Sequence, residues 1–121
     1  MPIPRLGGVA IWLCTMLTFV ILVFLSFDYP HGNGLSGILV GGSLMFILGL
    51  VDDVYNLSPK FKLFVQIAIS LVAFLLGVKI EFVHNMFGDP INIGLLSLPI
   101  TVLWLVGISN AMNFIDGVDG L

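Results

Sequence analysis

Apolar residues fill four long blocks of this chain, Leu6 to Phe27, Tyr29 to Val51, Leu63 to Val78 and Pro90 to Ile115. Every charged residue lies outside them. The blocks are continuously apolar, unlike the alternating segments of ~10 residues that build a transmembrane barrel. A bilayer core about 30 Å thick needs roughly 20 apolar residues in a helix, with ~17 as the lower limit. Three blocks exceed that length, and the third reaches it by tilting or by adding Phe61 and the aliphatic stem of Lys62. The pattern predicts an all-α polytopic membrane protein of about four transmembrane helices. Their approximate bounds are 9–27, 35–51, 62–78 and 99–115, with a cytosolic loop at 52–60.

Turn signals punctuate the blocks. Two prolines and two glycines in Pro2-Ile-Pro-Arg-Leu-Gly-Gly8 delay regular helix, and Asp28-Tyr-Pro-His-Gly-Asn-Gly34 is a turn cluster. Ser58 followed by Pro59 suits the N-cap and first turn of the third helix, with Gln66 one turn inside the membrane. Lys79-Ile-Glu-Phe-Val83 and Ile91-Asn-Ile93 flank a Gly88-Asp-Pro turn and predict a small extracytoplasmic β-hairpin. Gly37, Gly41, Gly42 and Ser43 are spaced for close helix packing. No internal repeat is present, the outer loops leave no room for a soluble domain, and residues 1–121 form a single transmembrane domain in this reading.

Composition narrows the classes. With 59% hydrophobic and 9% charged residues and a mean hydropathy of +1.17, the chain is too apolar for a soluble domain. A net charge of −3 offers no basic patch for nucleic acid. Cys14 is the single cysteine, which excludes a disulfide framework and leaves a small filler inside a span. A cleaved signal peptide is not expected, because the first apolar block is too long and no small-residue cleavage site follows. His31 and His84 fall in outer loops without a partner at ligand spacing.

Parity gives the pattern its meaning. Four alternating crossings place Arg5, Asp52, Asp53, Lys60, Lys62, Asp116 and Asp119 on one side of the membrane. Arg5, Lys60 and Lys62 against Lys79 alone puts that side in the cytosol of a cell or inner membrane protein. Two adjacent carboxylates, Asp52 and Asp53, at a helix C-terminus oppose the helix dipole and each other, unless something positive offsets them: Lys60, Lys62, Arg5 or a divalent cation such as Mg²⁺. Asn110 and Asn113 lie one turn apart where unpaired amides are costly, so they face protein or a wet cavity. Asp116 and Asp119 continue the spacing, with Gly117 and Gly120 beside them. Carboxylates, amides and cations gathered at a membrane surface suit a metal-assisted reaction between a lipid phosphate and a nucleotide-linked phosphate. An ion-coupled transporter is the rival of another class, although transporters hold such groups near the midplane. A purely structural helix bundle leaves the clustered carboxylates unexplained.

Three motifs carry a family likeness: PRLGG at Pro4–Gly8, DDVYNLSPKFK at Asp52–Lys62 and NAMNFIDGVDGL at Asn110–Leu121. The chain resembles the polyprenyl-phosphate N-acetylhexosamine-1-phosphate transferases. The resemblance implies Mg²⁺-dependent transfer of a sugar-1-phosphate from a UDP-N-acetylhexosamine to undecaprenyl or another polyprenyl phosphate, releasing UMP, with Mn²⁺ as the alternative metal. PRLGG and NFIDG resemble the branch that uses UDP-GlcNAc at the first membrane step of cell-envelope polymer synthesis. The alternative is the branch that makes the first lipid intermediate of peptidoglycan from UDP-MurNAc-pentapeptide. Carried over by residue, the likeness makes Asp52 the base toward the lipid phosphate, with Asp53 assisting at phosphate or metal. Asn113 becomes a metal ligand, and Asp116 and Asp119 shape the catalytic pocket. Lys60, Lys62, Asn110 and Arg5 contact substrate. The family pattern extends on both sides of these motifs, so the chain is expected to be a fragment of a larger multi-helix fold, inactive alone. A homodimer is compatible with this reading.

Overall fold

This computed structural model describes residues 6–25 and 34–119, except the side chains of residues 6 and 116–119. The chain forms two units, Met1–Gly32 and Asn33–Leu121. The first contains helix α1, Leu6–Leu25. It is apolar on every face and none of its described residues is buried, as suits a helix whose solvent is lipid. Its hydroxyl at Thr15 donates to the Ile11 carbonyl at 2.8 Å, so no polar group of that side chain is offered to hydrocarbon.

The second unit holds α2 (Leu35–Tyr55), α3 (Pro59–Leu75), a hairpin of β1 (Phe82–His84) and β2 (Pro90–Asn92), a single 3₁₀ turn and α4 (Ser97–Asp119). Helix α3 packs against both α2 and α4. Within this unit α2 runs antiparallel to α3, and α3 antiparallel to α4. Gly34 at the start of α2 approaches Gly77 beyond the end of α3, whereas Asp52 near the end of α2 meets Lys62 near the start of α3. Gln66 of α3 likewise meets Asn110, just past the midpoint of α4. At the opposite end, the Ile80 N–H donates to Thr101 Oγ1 at 2.9 Å and Ser97 Oγ donates to the Ile80 carbonyl at 2.7 Å.

Several helix bounds differ from those read in the hydropathy. Helix α2 runs four residues past Val51, through Asp52 and Asp53 to Tyr55. What stops it is Asn56 in the left-handed region (φ 48°), whose N–H donates to the Asp52 carbonyl. Asn tolerates that conformation better than most residues. The loop at 52–60 therefore shrinks to residues 56–58. Helix α3 begins at Pro59, with Ser58 Oγ accepting from the Phe61 N–H at 3.4 Å. It ends at Leu75, short of the expected 78, because the chain turns at Gly77 with φ 103°. The hairpin pairs Phe82 with Asn92 and Val83 with Ile91, antiparallel as expected. Asn85 Oδ1 tightens its turn, accepting from the N–H groups of Phe87 and Asp89 at 2.9 Å each.

Among the described residues, three helical segments, Gly7–Leu25, Leu35–Tyr55 and Gly94–Ile115, are long and apolar enough to cross a membrane. Helix α3, with 17 residues, sits at the ~17-residue limit for a span. The packing inside the second unit inverts that of a soluble protein. Its buried residues include Gln66, Ser70, Ser97 and Thr101 beside Leu48, Ile69, Ala73 and Val106, whereas Phe64, Leu75, Leu103 and Trp104 point outward. Lipid tails are as apolar as leucine, so helices gain most from small residues and from polar groups that satisfy one another. The cap at Ser58 is long, so replacing it with alanine should lower stability near the bottom of the usual range, by about 0.5 kcal/mol. Thermal unfolding of the full-length protein in lipid nanodiscs measures it.

Candidate functional site

The candidate site lies at the end of the second unit where α2 finishes, α3 begins and α4 nears its end. Lys62 Nζ stands 2.5 Å from Asp52 Oδ2, and both side chains are largely covered, 18% and 23% exposed. Asp52 Oδ1 accepts from the Leu57 N–H at 3.1 Å. One aspartate thus closes the α2–α3 turn through its backbone carbonyl and one carboxylate oxygen while its other oxygen meets the lysine. The positive partner that a carboxylate at a helix C-terminus requires is Lys62. A carboxylate has about four acceptor positions, so Asp52 keeps capacity for a further ligand.

Asp53 and Lys60 are exposed and form no ion pair among the described residues. Asn113 is exposed on α4, one turn beyond Asn110. Asp116 and Asp119 belong to the last turns of α4 by their backbone, but their side chains lie outside the described residues, as does all of Arg5. Among the described residues, no three His, Cys, Asp or Glu side chains gather as a metal cage. The structure therefore joins Asp52 and Lys62 directly, with Asp53, Lys60 and Asn113 on the elements that end around them.

Asn110 is engaged within the protein. Its Nδ2 donates to Gln66 Oε1 and to the Val106 carbonyl, each at 3.0 Å, and its Oδ1 accepts from Gln66 Nε2 at 3.3 Å. Gln66 Nε2 also lies 3.4 Å from Ser109 Oγ, and the Gln66 side chain is essentially inaccessible. Gln66 was absent from the candidates read in the sequence. A signal existed: a glutamine and an asparagine in membrane helices both need partners, and antiparallel neighbours bring 66 and 110 to one depth. Such interhelical bonds in membranes contribute about 0.6 kcal/mol on average, up to ~1.7.

A polytopic helical membrane protein with a carboxylate–lysine pair and polar side chains converging at one end is the class these features define. The sequence profile of glycosyl transferase family 4 matches residues 35–121, and the chain belongs to that family. It is similar to a probable undecaprenyl-phosphate N-acetylglucosaminyl 1-phosphate transferase of Bacillus subtilis, 38% identical over 98% of this chain and 32% of that protein. A phospho-N-acetylmuramoyl-pentapeptide-transferase of Streptococcus uberis is 33% identical over 98% of this chain and 38% of its own length. A decaprenyl-phosphate N-acetylglucosaminephosphotransferase of Mycolicibacterium smegmatis is 32% identical over 99% and 31%. The chain thus spans about a third of the length of these curated relatives. No solved structure matches it.

Proposed function

We propose that the full-length protein transfers a sugar-1-phosphate, GlcNAc-1-phosphate first among candidates, from a UDP-sugar to a polyprenyl phosphate with release of UMP. The observation that carries this reading is the Asp52–Lys62 pair at the end of a membrane helix bundle in a chain of glycosyl transferase family 4. Phosphoryl transfer asks a protein for alignment and charge neutralisation more than for covalent help. Lys62 supplies a cation near the surface where a lipid phosphate would lie, and Asp52 is the acceptor for the proton of that phosphate. The oxygen of the lipid phosphate attacks the sugar-linked phosphorus, the bond from that phosphorus to the oxygen it shares with UMP breaks, and UMP departs. Lys60, Arg5, Asp116 and Asp119 are proposed to frame the nucleotide-sugar.

The donor set fits a hard divalent cation. With Asp52 held by Lys62, the exposed carboxylate of Asp53 and the amide oxygen of Asn113 are the oxygen ligands this chain offers for Mg²⁺. The metal's part would be to neutralise diphosphate charge. Chelation in membranes containing the full-length protein should abolish transfer, with Mg²⁺ restoring it fully and Mn²⁺ serving as substitute. Undiminished turnover in chelator refutes the metal assignment.

UDP-GlcNAc and UDP-MurNAc-pentapeptide separate the two related readings. Both have support among the relatives, and the one that yields radiolabelled lipid and UMP with purified enzyme is the donor. The site is proposed to face the cytosol of the plasma membrane. Under an impermeant thiol reagent on intact cells, Asn56→Cys should stay unlabelled and His84→Cys should react. Reaction at both positions would contradict the assigned orientation.

A further inference from the structure

We propose that Gln66 is a positioning residue, which locks the register of α4 against α3 through Asn110 and thereby fixes the rotation of Asn113 at the end of the unit that holds the Asp52–Lys62 pair. The inference rests on the transferase reading above and adds to it a buried residue about one helical turn along α3 from Lys62. Three facts support it. Gln66 is 1% exposed, so its amide has no recourse to water or lipid headgroups. The pair is reciprocal: Gln66 Oε1 accepts from Asn110 Nδ2 at 3.0 Å, and Gln66 Nε2 donates to Asn110 Oδ1 at 3.3 Å. Ser109 Oγ stands 3.4 Å from the same Nε2, so the glutamine grips two successive residues of α4.

Two successive residues on a helix point about 100° apart. A side chain that holds both fixes the rotation of α4 as well as its height, and no slip by one residue preserves the bonds. On the α3 side, Ser70 Oγ donates to the Gln66 carbonyl at 2.8 Å and is fully buried, so the grip starts from a rigid turn. Asp116 follows Asn110 by six residues, about 9 Å along the helix axis. Between the two lies Asn113, the proposed metal ligand. A rotation at Asn110 therefore carries the whole tract around the axis. Asn110 is an exposed residue, but both its N–H donors meet protein acceptors, Gln66 Oε1 and the Val106 carbonyl, so it acts through α4 and not as a reader of substrate.

The test uses the full-length enzyme in nanodiscs. Gln66→Leu keeps the bulk and removes all three bonds. Per folded molecule, kcat should fall by about 10²-fold, the scale of a 1 Å misplacement. The KM for each substrate should stay within about twofold, the sign of a group that contacts neither. The exchange variant Gln66→Asn/Asn110→Gln preserves donors and acceptors and should recover most of the lost kcat, which neither single change does. Wild-type kcat per folded molecule in Gln66→Leu overturns the proposal, as does an exchange variant no better than the singles. A thermal-stability cycle over Gln66→Leu, Asn110→Leu and the double variant needs no turnover. Additive effects there overturn the pairing even if the enzyme proves to catalyse a different transfer, whereas failure of wild-type transfer with either UDP-sugar counts against the proposed function alone.

Discussion

Asp52→Asn in the full-length protein should lower sugar-phosphate transfer by about 10²–10⁴-fold, the range for loss of a positioned general base. The substitution separates the two tasks of this residue. Asparagine retains a side-chain oxygen that can accept from the Leu57 N–H, and the backbone carbonyl that caps α2 is untouched. The turn should therefore close as before and the protein should fold. What disappears is the negative charge facing Lys62 and the capacity to take up a proton. Expression and melting temperature near wild type, with turnover collapsed, is the expected pair of results. Turnover close to wild type would remove Asp52 from the chemistry and leave it a hinge. Lys62→Met should be nearly as damaging, since it strips the cation and leaves a largely covered carboxylate without its partner.

The second large effect concerns stability. A Cβ added at Gly37 would lie 2.6 Å from Val78 Cγ2, 2.8 Å from the Ala73 carbonyl oxygen and 3.2 Å from Leu76 Cβ. The carbonyl cannot yield cheaply, because it accepts from the Val78 N–H at 3.0 Å and forms part of the turn that ends α3. Gly37→Ala should thus cost about 1–3 kcal/mol, the usual range for overpacking, and Gly37→Leu should prevent α2 and α3 from docking. Gly42, five residues on, has nothing within 4 Å of its notional Cβ. Gly42→Ala should be neutral or stabilise by up to ~1 kcal/mol through helix propensity. Melting curves of the two alanine variants side by side decide the matter. Equal effects would mean that α2 does not approach α3 along this face.

These contrasts show what the sequence could and could not reveal. Hydropathy located the helices because lipid tolerates few charges, and turn chemistry located Ser58–Pro59 and the hairpin. Crossing parity anticipated that Asp52 and Lys62 share a surface. It could not say that Asp53, its neighbour, forms no ion pair among the described residues, because adjacent helical residues point about 100° apart and only the register selects one. Hydropathy also ended α2 at Val51, whereas the backbone continues until Asn56 turns left-handed. A stripe of four small residues marks a packing face without showing which glycine touches backbone. Gln66 appeared as a polar residue in a span, and its partner 44 positions away emerged only from the packing of α3 on α4.

The inverted interior has a practical consequence. Hydroxyl and amide groups tie the second unit together at Gln66, Ser97 and Thr101, and water competes for each of those bonds. Small, loosely packed micelles that admit water should therefore loosen these helices sooner than a thick bilayer would, even at the same temperature. For this molecule dryness is a cohesive force, and the choice of amphiphile during purification becomes a choice of solvent for its core.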